Sequence, residues 1–556
     1  MSSEVFPSDT KLEKLRSARG IIISGGPHSV YEATSPTMDL AVLASGIPVL
    51  GICYGQQLVT HLLGGEVRPG NKGEYGLAIL DRLNGNSSIL NGVRDHQQIW
   101  MSHKDTVAVP PAGFNVLATT ATCEIAAIED AVRKIHCVQF HPEVVHTTEG
   151  GRVLRNFVFD ICECKEDWHA GERVSLIEEQ IRKRIGDRSV FFFVSGGVDS
   201  TVAFTLCLRA LGSDRVRGVY VDTGLMREGE TDFVERTFET LGHGIVDIER
   251  AEAEFLTPLE TARDPEHKRH IIGEQFVLVQ ERIVKSRGLL GSKWVLGQGT
   301  IYPDTIESGG TAQSATIKTH HNRVPGIQKL IDEGRIVEPL SDFYKDEVRA
   351  IGRQLGLPVE LLDRHPFPGP GLAIRCLCAE VNEPVTQTPE GWLIPVKSVG
   401  VQGDFRSYAN VLAIADRRQD LATEIINRIS GVNRVVAIVA SRSPIAEQRV
   451  FNSDITKSRL DLLRRADAVV RELSLESGFD SLVWQFPVIL IPLGAGELHD
   501  SVVLRPIQSV DGMTADSVTM PDALLSEMTA RLMAIPAIAG VYYDLTHKPP
   551  GTIEWE

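Results

Sequence analysis

Residues 189–201, Ser-Val-Phe-Phe-Phe-Val-Ser-Gly-Gly-Val-Asp-Ser-Thr, lead an apolar strand through a glycine turn into a helix. The turn lacks the Gly-Lys-Ser/Thr ending of a Walker A loop, but its glycines let backbone N–H groups close on an anion at the positive end of a helix. The residues expected to bind phosphate groups are Ser195, Gly196, Gly197, Val198, Asp199, Ser200 and Thr201. Asp199 is also placed to hold Mg²⁺, and the alternative is a glycine turn followed by an ordinary helix cap.

Strands and helices alternate on both sides of this turn. Strands are predicted at 20–24, 47–52 and 215–221, and helices at 54–63, from Ser200 and from Gly229. Residues 380–556 instead combine long helical stretches with isolated strands. We therefore expect an α/β chain with two doubly wound, mainly parallel domains at 1–165 and 171–375, followed by an α+β dimerisation domain at 376–556.

Composition excludes several functions. The formal net charge of −16 argues against non-specific nucleic-acid binding, which needs Lys and Arg to displace counterions. No apolar run approaches the ~20 residues of a membrane helix, and no signal segment is visible at the start. The 8 cysteines are spread along the chain and not packed like a disulfide scaffold. We expect a cytoplasmic protein that binds neither nucleic acid nor membranes.

A cysteine nucleophile is predicted at a second strand end. Gly51-Ile52-Cys53-Tyr54-Gly55 has the spacing of a nucleophile elbow, in which the helix N-terminus favours the thiolate. Downstream, Pro142 favours an extended conformation for His141, so Glu143 lies on the same side as His141. Glu143 can then orient His141, which takes the proton of Cys53. The alternative is a buried cysteine at a turn.

An oxyanion site is predicted from a third strand end. The turn Ser24-Gly25-Gly26-Pro27 can present the N–H of Gly26 beside that of Tyr54. Together these residues resemble the class I glutamine amidotransferases. The resemblance implies a γ-glutamyl thioester on Cys53 and release of ammonia. Residues 102–105, Ser-His-Lys-Asp, also match that family, although a polar turn explains them nearly as well.

The loop at 195–201 resembles that of the ATP pyrophosphatase family, which activates a substrate oxygen by adenylation. The resemblance implies that the loop grips the β- and γ-phosphates of ATP, with Mg²⁺, and that adenosine rests near Val221-Asp222-Thr223-Gly224. Asp304 ends a third strand region and could be either a cap or a site residue.

Three further segments are similar to GMP synthetase signatures: 365–375, 398–408 and 548–556. That resemblance implies an amidotransferase that uses glutamine, ATP and xanthosine monophosphate (XMP), and a homodimer. The residues it assigns to XMP are Arg269, Arg406, Gln485, Lys548, Ile553 and Glu554. It also places Lys318 on a lid that closes over the nucleotides.

Two departures and two alternatives accompany the resemblance. The strand and helix with Asp-Phe-Gly-Ser-Gln that open the family are absent, so we expect the first sheet to lack that strand. Residues 323–326, Arg-Val-Pro-Gly, replace the expected glycine-rich lid. An amidotransferase with another acceptor, or an inactive regulatory paralogue, would share parts of the pattern.

Overall fold

The chain divides into two units, residues 1–168 and 169–556. The structure is a computed structural model. It describes all residues except 1–2, 33, 84–86, 145, 167–172, 243, 305–324, 403–404, 430, 510–513 and 549.

The first unit contains a seven-stranded sheet. Its strands are Ile21–Ile23 (β1), Val49–Ile52 (β2), Glu66–Arg82 (β3), Gln97–Val109 (β4), Asn115–Thr119 (β5), Ala127–Asp130 (β6) and Ile135–Val138 (β7). In space they follow the order β1-β2-β7-β6-β5-β3-β4. Strands β1, β2 and β7 are parallel, and the remaining pairs are antiparallel. The parallel part therefore ends at one edge, where loops can converge.

The second unit begins with a five-stranded parallel sheet. Its strands are Ser189–Val194 (β8), Val216–Asp222 (β9), Val246–Arg250 (β10), Trp294–Gly297 (β11) and Ile336–Val337 (β12), in the order β10-β9-β8-β11-β12. The central strand β8 is buried at nearly every position. Its unbroken apolar run fits a strand covered on both faces.

A seven-stranded mixed sheet completes the second unit. The remaining strands are Thr386–Gln387 (β13), Trp392–Gln402 (β14), Phe405–Ile414 (β15), Val432–Ser441 (β16), Arg449–Val450 (β17), Val488–Ile491 (β18), Leu493–Gly494 (β19), Asp500–Leu504 (β20), Ile507–Gln508 (β21), Asp516–Ser517 (β22) and Ile538–Asp544 (β23). Seven of these strands form the mixed sheet, in the order β13-β14-β15-β16-β23-β20-β18, while β17 pairs with β19 and β21 pairs with β22. Within this sheet β16 and β23 are antiparallel to each other. Strand β16 is parallel to β15, which is antiparallel to β14. In the same way β23 is parallel to β20, which is antiparallel to β18. The sheet thus repeats one ββαβ arrangement about its centre.

The α-helices connect and cover these sheets. They are Leu12–Leu15 (α1), Leu40–Leu43 (α2), Tyr54–Leu62 (α3), Gly150–Arg155 (α4), Val174–Ile185 (α5), Val198–Leu211 (α6), Glu230–Leu241 (α7), Glu252–Leu259 (α8), Pro265–Ser286 (α9), Pro325–Asp332 (α10), Lys345–Gln354 (α11), Val359–Leu362 (α12), Gln419–Arg428 (α13), Lys457–Glu476 (α14) and Asp522–Met533 (α15). The predicted α/β class is confirmed. No helix in the described parts of the chain is both long and apolar enough to cross a membrane.

One hydrophobic core joins the two sheets of the second unit. It includes Val219 and Phe255 from the parallel sheet and its helices, and Leu412, Leu463 and Val541 from the C-terminal region. Burial of a continuous apolar surface favours their folding together.

A buried charge cluster fixes the C-terminal tail. Asp544 is fully buried, and its Oδ2 accepts hydrogen bonds from Arg434 (3.0 Å), Arg505 (2.7 Å) and the indole of Trp555 (2.8 Å). Arg434 also donates to the carbonyls of Thr552 and Glu554. Although burial disfavours the charge, the two guanidinium groups keep the pKa of Asp544 below its usual value.

We expect Asp544→Asn to lower the free energy of unfolding by about 3–5 kcal/mol, because it leaves two buried guanidinium groups without their counter-charge. Urea unfolding at neutral pH measures this. The exposed control Asp187→Asn should change stability by less than about 0.5 kcal/mol. Equal stability of Asp544→Asn and the natural chain would contradict the assignment.

Because the pKa of Asp544 is lowered in the folded chain, the contribution of its carboxylate to the free energy of unfolding should fall as the pH drops into the acid range.

Candidate active site

The three parallel strands of the first unit bring together the predicted nucleophile, base and oxyanion turn. Residues 24–26 follow β1, Cys53 follows β2, and His141 follows β7 closely. A Cβ atom placed on Gly25 would lie 3.0 Å from Cε1 of His141 and 3.4 Å from Cβ of Cys53. The three strand ends therefore surround one point.

The backbone at Cys53 is strained into the predicted elbow. Cys53 has φ 52° and ψ −107°, a conformation that side chains with a Cβ rarely adopt. A Cβ on Gly51 would lie 2.8 Å from the Gly55 carbonyl, and one on Gly55 would lie 2.3 Å from the Ile23 carbonyl. Both glycines are needed because the turn passes so close to neighbouring backbone. The elbow places the buried sulfur at the N-terminus of α3.

His141 is held between the nucleophile and a carboxylate. Its Nδ1 lies 2.7 Å from Oε1 of Glu143, as the extended conformation predicts. Its Nε2 is buried and has no hydrogen bond of good geometry in the described chain. Burial acts to lower the pKa of His141, but the interactions with Cys53 and Glu143 outweigh it and raise this pKa to about 10. The imidazolium form is therefore available as a proton donor at neutral pH.

The predicted oxyanion residues are neighbours. A Cβ on Gly26 would lie 4.0 Å from Cβ of Tyr54. Tyr54 is the first residue of α3, so its N–H has no acceptor within the helix. This arrangement can stabilise negative charge that develops next to Cys53.

Strand β4 contacts both Cys53 and His141, an arrangement that the sequence did not predict. The Cys53 Sγ donates to the Ser102 carbonyl at 3.5 Å, and the His141 N–H donates to the Trp100 carbonyl at 3.0 Å. The Thr147 hydroxyl donates to the His141 carbonyl at 2.6 Å and accepts from the Trp100 N–H at 3.0 Å. Thr147 therefore fixes the main chain of His141. A lone threonine six residues after the base gave no pattern from which to infer this.

The loop at 195–201 has the predicted strand–turn–helix geometry. Gly196 has φ +73°, and a Cβ there would meet Val234 at 2.5 Å. The hydroxyls of Ser195 and Ser200 lie 3.0 Å apart at the turn. Thr201 is fully buried and donates to the Gly197 carbonyl at 2.8 Å, so its hydroxyl holds the loop together. Val198 begins α6, so its N–H and those that follow can point to an anion.

Lys345 pairs with the predicted metal-binding carboxylate. Its Nζ lies 2.7 Å from Oδ1 and 2.6 Å from Oδ2 of Asp199. A cation can therefore reach both oxygens, and carboxylate oxygens are the ligands that Mg²⁺ prefers. The residues present fit Mg²⁺. No sequence pattern indicated Lys345, because only the fold brings the start of α11 to the loop.

The other strand ends of the parallel sheet carry structural contacts. Asp222 accepts from the Gly224 N–H at 3.0 Å and from the Thr231 hydroxyl at 2.9 Å. Asp304 accepts from the Ile301 N–H at 3.1 Å. A Cβ on Gly299 would lie 2.7 Å from the Ser200 nitrogen, so this strand end packs directly against the 195–201 loop.

Two of the residues assigned to XMP, Gln485 and Glu554, contact each other beside a buried guanidinium group. Arg375 binds both carboxylate oxygens of Glu554, at 2.9 and 2.7 Å. Gln485 donates to the same carboxylate at 3.2 Å and to the Pro366 carbonyl at 2.9 Å. Burial acts to raise the pKa of Glu554, but Arg375 outweighs it and keeps this pKa below its usual value. Arg375 therefore fixes the Glu554 carboxylate, a contact that was not predicted although Arg375 lies in the segment 365–375.

The structure describes contacts for some of the other residues assigned to XMP and the lid. Arg269 donates to the Glu556 carbonyl, and the Ile553 carbonyl accepts from Arg505 at 2.9 Å. The Lys548 backbone pairs with Ala515. Arg406 lies in β15, but its side chain is outside the described part of the structure, and Lys318 is outside the described residues altogether.

Comparisons with known proteins cover the whole chain. Family models match at residues 1–161 (glutamine amidotransferase class-I), 170–266 (NAD synthase) and 474–555 (GMP synthase C terminal domain). The chain is 42% identical to a probable glutamine-hydrolysing GMP synthase of Leptospira interrogans, over 100% of this chain and 95% of that protein. It is 37% and 39% identical to glutamine-hydrolysing GMP synthases of Geobacillus kaustophilus and Thermomicrobium roseum, over 100% of this chain and 94% and 92% of theirs.

We expect Glu143→Gln to lower the pKa of His141 from about 10, because it removes one of the two groups that oppose the effect of burial. The imidazolium should then lose its proton at a lower pH than in the natural chain. NMR titration of the labelled imidazole measures this, with the exposed Glu13→Gln as a control. An unchanged His141 titration would refute the pairing.

Proposed function

The chain belongs to the glutamine-hydrolysing GMP synthases, and from this premise we propose how its described residues divide the reaction. It is an ATP-dependent ligase that carries out glutamine-dependent GMP synthesis. In full, XMP, ATP, glutamine and water give GMP, AMP, diphosphate and glutamate. The observation that carries the division of labour is the meeting of Cys53, His141 and the Gly25-Gly26 turn at adjacent strand ends.

The first unit releases ammonia. The Cys53 thiolate attacks the side-chain amide carbon of glutamine, and the developing oxyanion accepts hydrogen bonds from the N–H groups of Gly26 and Tyr54. Protonated His141 gives its proton to the leaving nitrogen, which departs as ammonia and leaves a thioester. His141 then takes a proton from water, which attacks the thioester and releases glutamate. Glu143 orients His141 throughout.

The second unit activates XMP. The 2-oxygen of the xanthine ring attacks the α-phosphorus of ATP, and diphosphate leaves while the 195–201 loop holds it. Mg²⁺ bound with ATP would be held by Asp199 and supplies charge neutralisation of the phosphate oxygens. Lys345, freed from Asp199, can bind the same phosphates. Ammonia then replaces the adenylyl group at the ring carbon and yields GMP and AMP.

The C-terminal tail and its neighbours bind XMP. Glu554, oriented by Arg375 and Gln485, can accept from purine N–H groups or ribose hydroxyls. Arg269, Arg406 and Lys548 suit the phosphate. Ile553 can pack against the purine, and Lys318 is proposed to lie on the closing lid.

Cellular setting and assembly are also proposed. All 8 cysteines are free thiols, which fits a reducing cytoplasm. The match of residues 474–555 to the GMP synthase C terminal domain is the basis for proposing a homodimer, which light scattering of the purified chain would test.

GMP formation from XMP, ATP and Mg²⁺ with either glutamine or ammonia tests the proposal. The relatives do not favour an amidotransferase with another acceptor or an inactive paralogue. GMP from ammonia but not from glutamine would overturn the glutaminase assignment. No GMP from either source would overturn the proposed function.

Cys53→Ala should abolish glutamine-dependent GMP synthesis and leave ammonia-dependent synthesis unchanged, because only the first step uses the thiolate. Steady-state rates with each nitrogen donor measure this. Cys164→Ser, at a partly exposed thiol, is the control and should retain both activities. Equal loss with both donors would contradict the separation of the two sites.

Asp199→Asn should reduce GMP synthesis with both nitrogen donors by about 10²–10³-fold, the usual effect of removing one group that stabilises transition-state charge. The control is Asp232→Asn on the surface of α7. A variant with unaltered ammonia-dependent synthesis would rule out a role for Asp199 in ATP activation.

A further inference from the structure

Three side chains with metal-ligand atoms converge in the first unit, in a cluster that includes neither Cys53 nor His141. They are Glu74 on β3, His103 on β4 and Cys123 in the loop after β5. One ligand atom from each lies within 4.8 Å of the other two. His103 and Cys123 are buried, and Glu74 is partly buried.

The hydrogen bonds of His103 leave one nitrogen facing an acceptor. Its Nδ1 lies 3.0 Å from the Asp105 carbonyl, which can only accept, so Nδ1 carries a proton. Its Nε2 lies 3.2 Å from Oε2 of Glu74. In a neutral imidazole both of these atoms are acceptors. A proton held on either atom satisfies the contact, and so would a divalent cation bound by both atoms.

The surroundings orient the other two ligand groups in the same way as in metal sites. The hydroxyls of Thr120 (3.1 Å) and Thr122 (2.5 Å) donate to Oε1 of Glu74, which leaves Oε2 directed at the cluster. The Cys123 N–H donates to the Thr120 hydroxyl at 2.9 Å, which fixes the loop that carries the thiol. Metal-binding histidines and carboxylates usually have such supporting partners, with the second ring N–H on a carbonyl.

The sulfur of Cys123 is held on its other side by Thr106, whose hydroxyl oxygen lies 3.6 Å away. A divalent cation would bind this sulfur as the thiolate and release its proton to solvent.

We propose that Glu74, His103 and Cys123 bind one zinc ion. One sulfur, one nitrogen and one oxygen ligand form a set that Zn²⁺ accepts, with water at the fourth position. Zinc bonds of about 2.0–2.3 Å place tetrahedral ligands roughly 3.5 Å apart, so the three groups need to close by only about 1 Å. The bound ion would tie the β3–β4 pair to the loop at 120–123. Because Ser102 adjoins His103 and contacts Cys53, the ion would also steady the strand behind the nucleophile.

Metal binding to the full-length chain tests this site. The chain carries Cys53→Ala, so that the active-site thiol cannot contribute, and is stripped with a chelator before titration with Zn²⁺ alone and with Co²⁺ alone. We expect about one Zn²⁺ per chain and a thiolate-to-cobalt absorption band. Cys123→Ser should abolish the band, and His103→Ala should weaken Zn²⁺ binding at least about tenfold.

Matched variants and a second measurement distinguish the outcomes. Cys164→Ser should retain binding, and so should His96→Ala, which alters an exposed cluster with Asp81 and Asp95. Should Cys123→Ser fail to fold, protection of Cys123 from alkylation by Zn²⁺ in the Cys53→Ala chain gives the same information. No binding, binding that survives both Cys123→Ser and His103→Ala, loss with His96→Ala alone, or unprotected Cys123 would overturn the proposal. Since GMP synthesis is not part of this assay, these results are independent of the proposed function.

Discussion

The direction of a few parallel strands is the constraint on which both reaction sites depend. Parallel neighbours end at the same edge of a sheet, so the loops that follow them must share a small volume. In the first unit this requirement is severe enough to force Cys53 into a strained backbone conformation and to leave no space for a side chain at Gly55. In the second unit, the 195–201 loop is similarly confined, and Gly196 leaves no space for a side chain there. The chemistry of each site follows from which groups the strands present there.

Buried ion pairs are the second feature that organises the structure. Asp544 with Arg434 and Arg505, and Arg375 with Glu554, hold the last residues of the chain against the C-terminal sheet. Such pairs are expensive to bury, and they persist when hydrogen bonds satisfy nearly every polar atom. Here the guanidinium groups also bind tail carbonyls, so the segment that carries Ile553 and Glu554 has one defined path. A tail held only by apolar contacts would place those residues less exactly against a ligand.

Patterns of local sequence predicted much of this arrangement. The strand at 189–194 lies where its continuous apolar run predicts it, and the helix at 54–62 ends where the glycines at 64 and 65 predict its end. The extended step from His141 to Glu143 also gave the correct pairing, because two residues of separation suffice to put both side chains on one side. By contrast, the long β3–β4 pair at 66–109 was not predicted. Its partners are far apart in sequence, and its exposed positions such as Leu77 and Ile79 are apolar, so a regular polar alternation is missing.

The sequence by itself determined the α/β class, the two glycine-rich strand ends, and the pairing of His141 with Glu143. Each of these rests on neighbouring residues whose conformational preferences act locally, as glycine and proline do. Only the tertiary structure decided that Lys345 meets Asp199, that Thr147 and β4 hold His141, and that Glu74, His103 and Cys123 converge. Those contacts join residues separated by many positions, and their formation depends on how strands order themselves in a sheet, which no local pattern encodes.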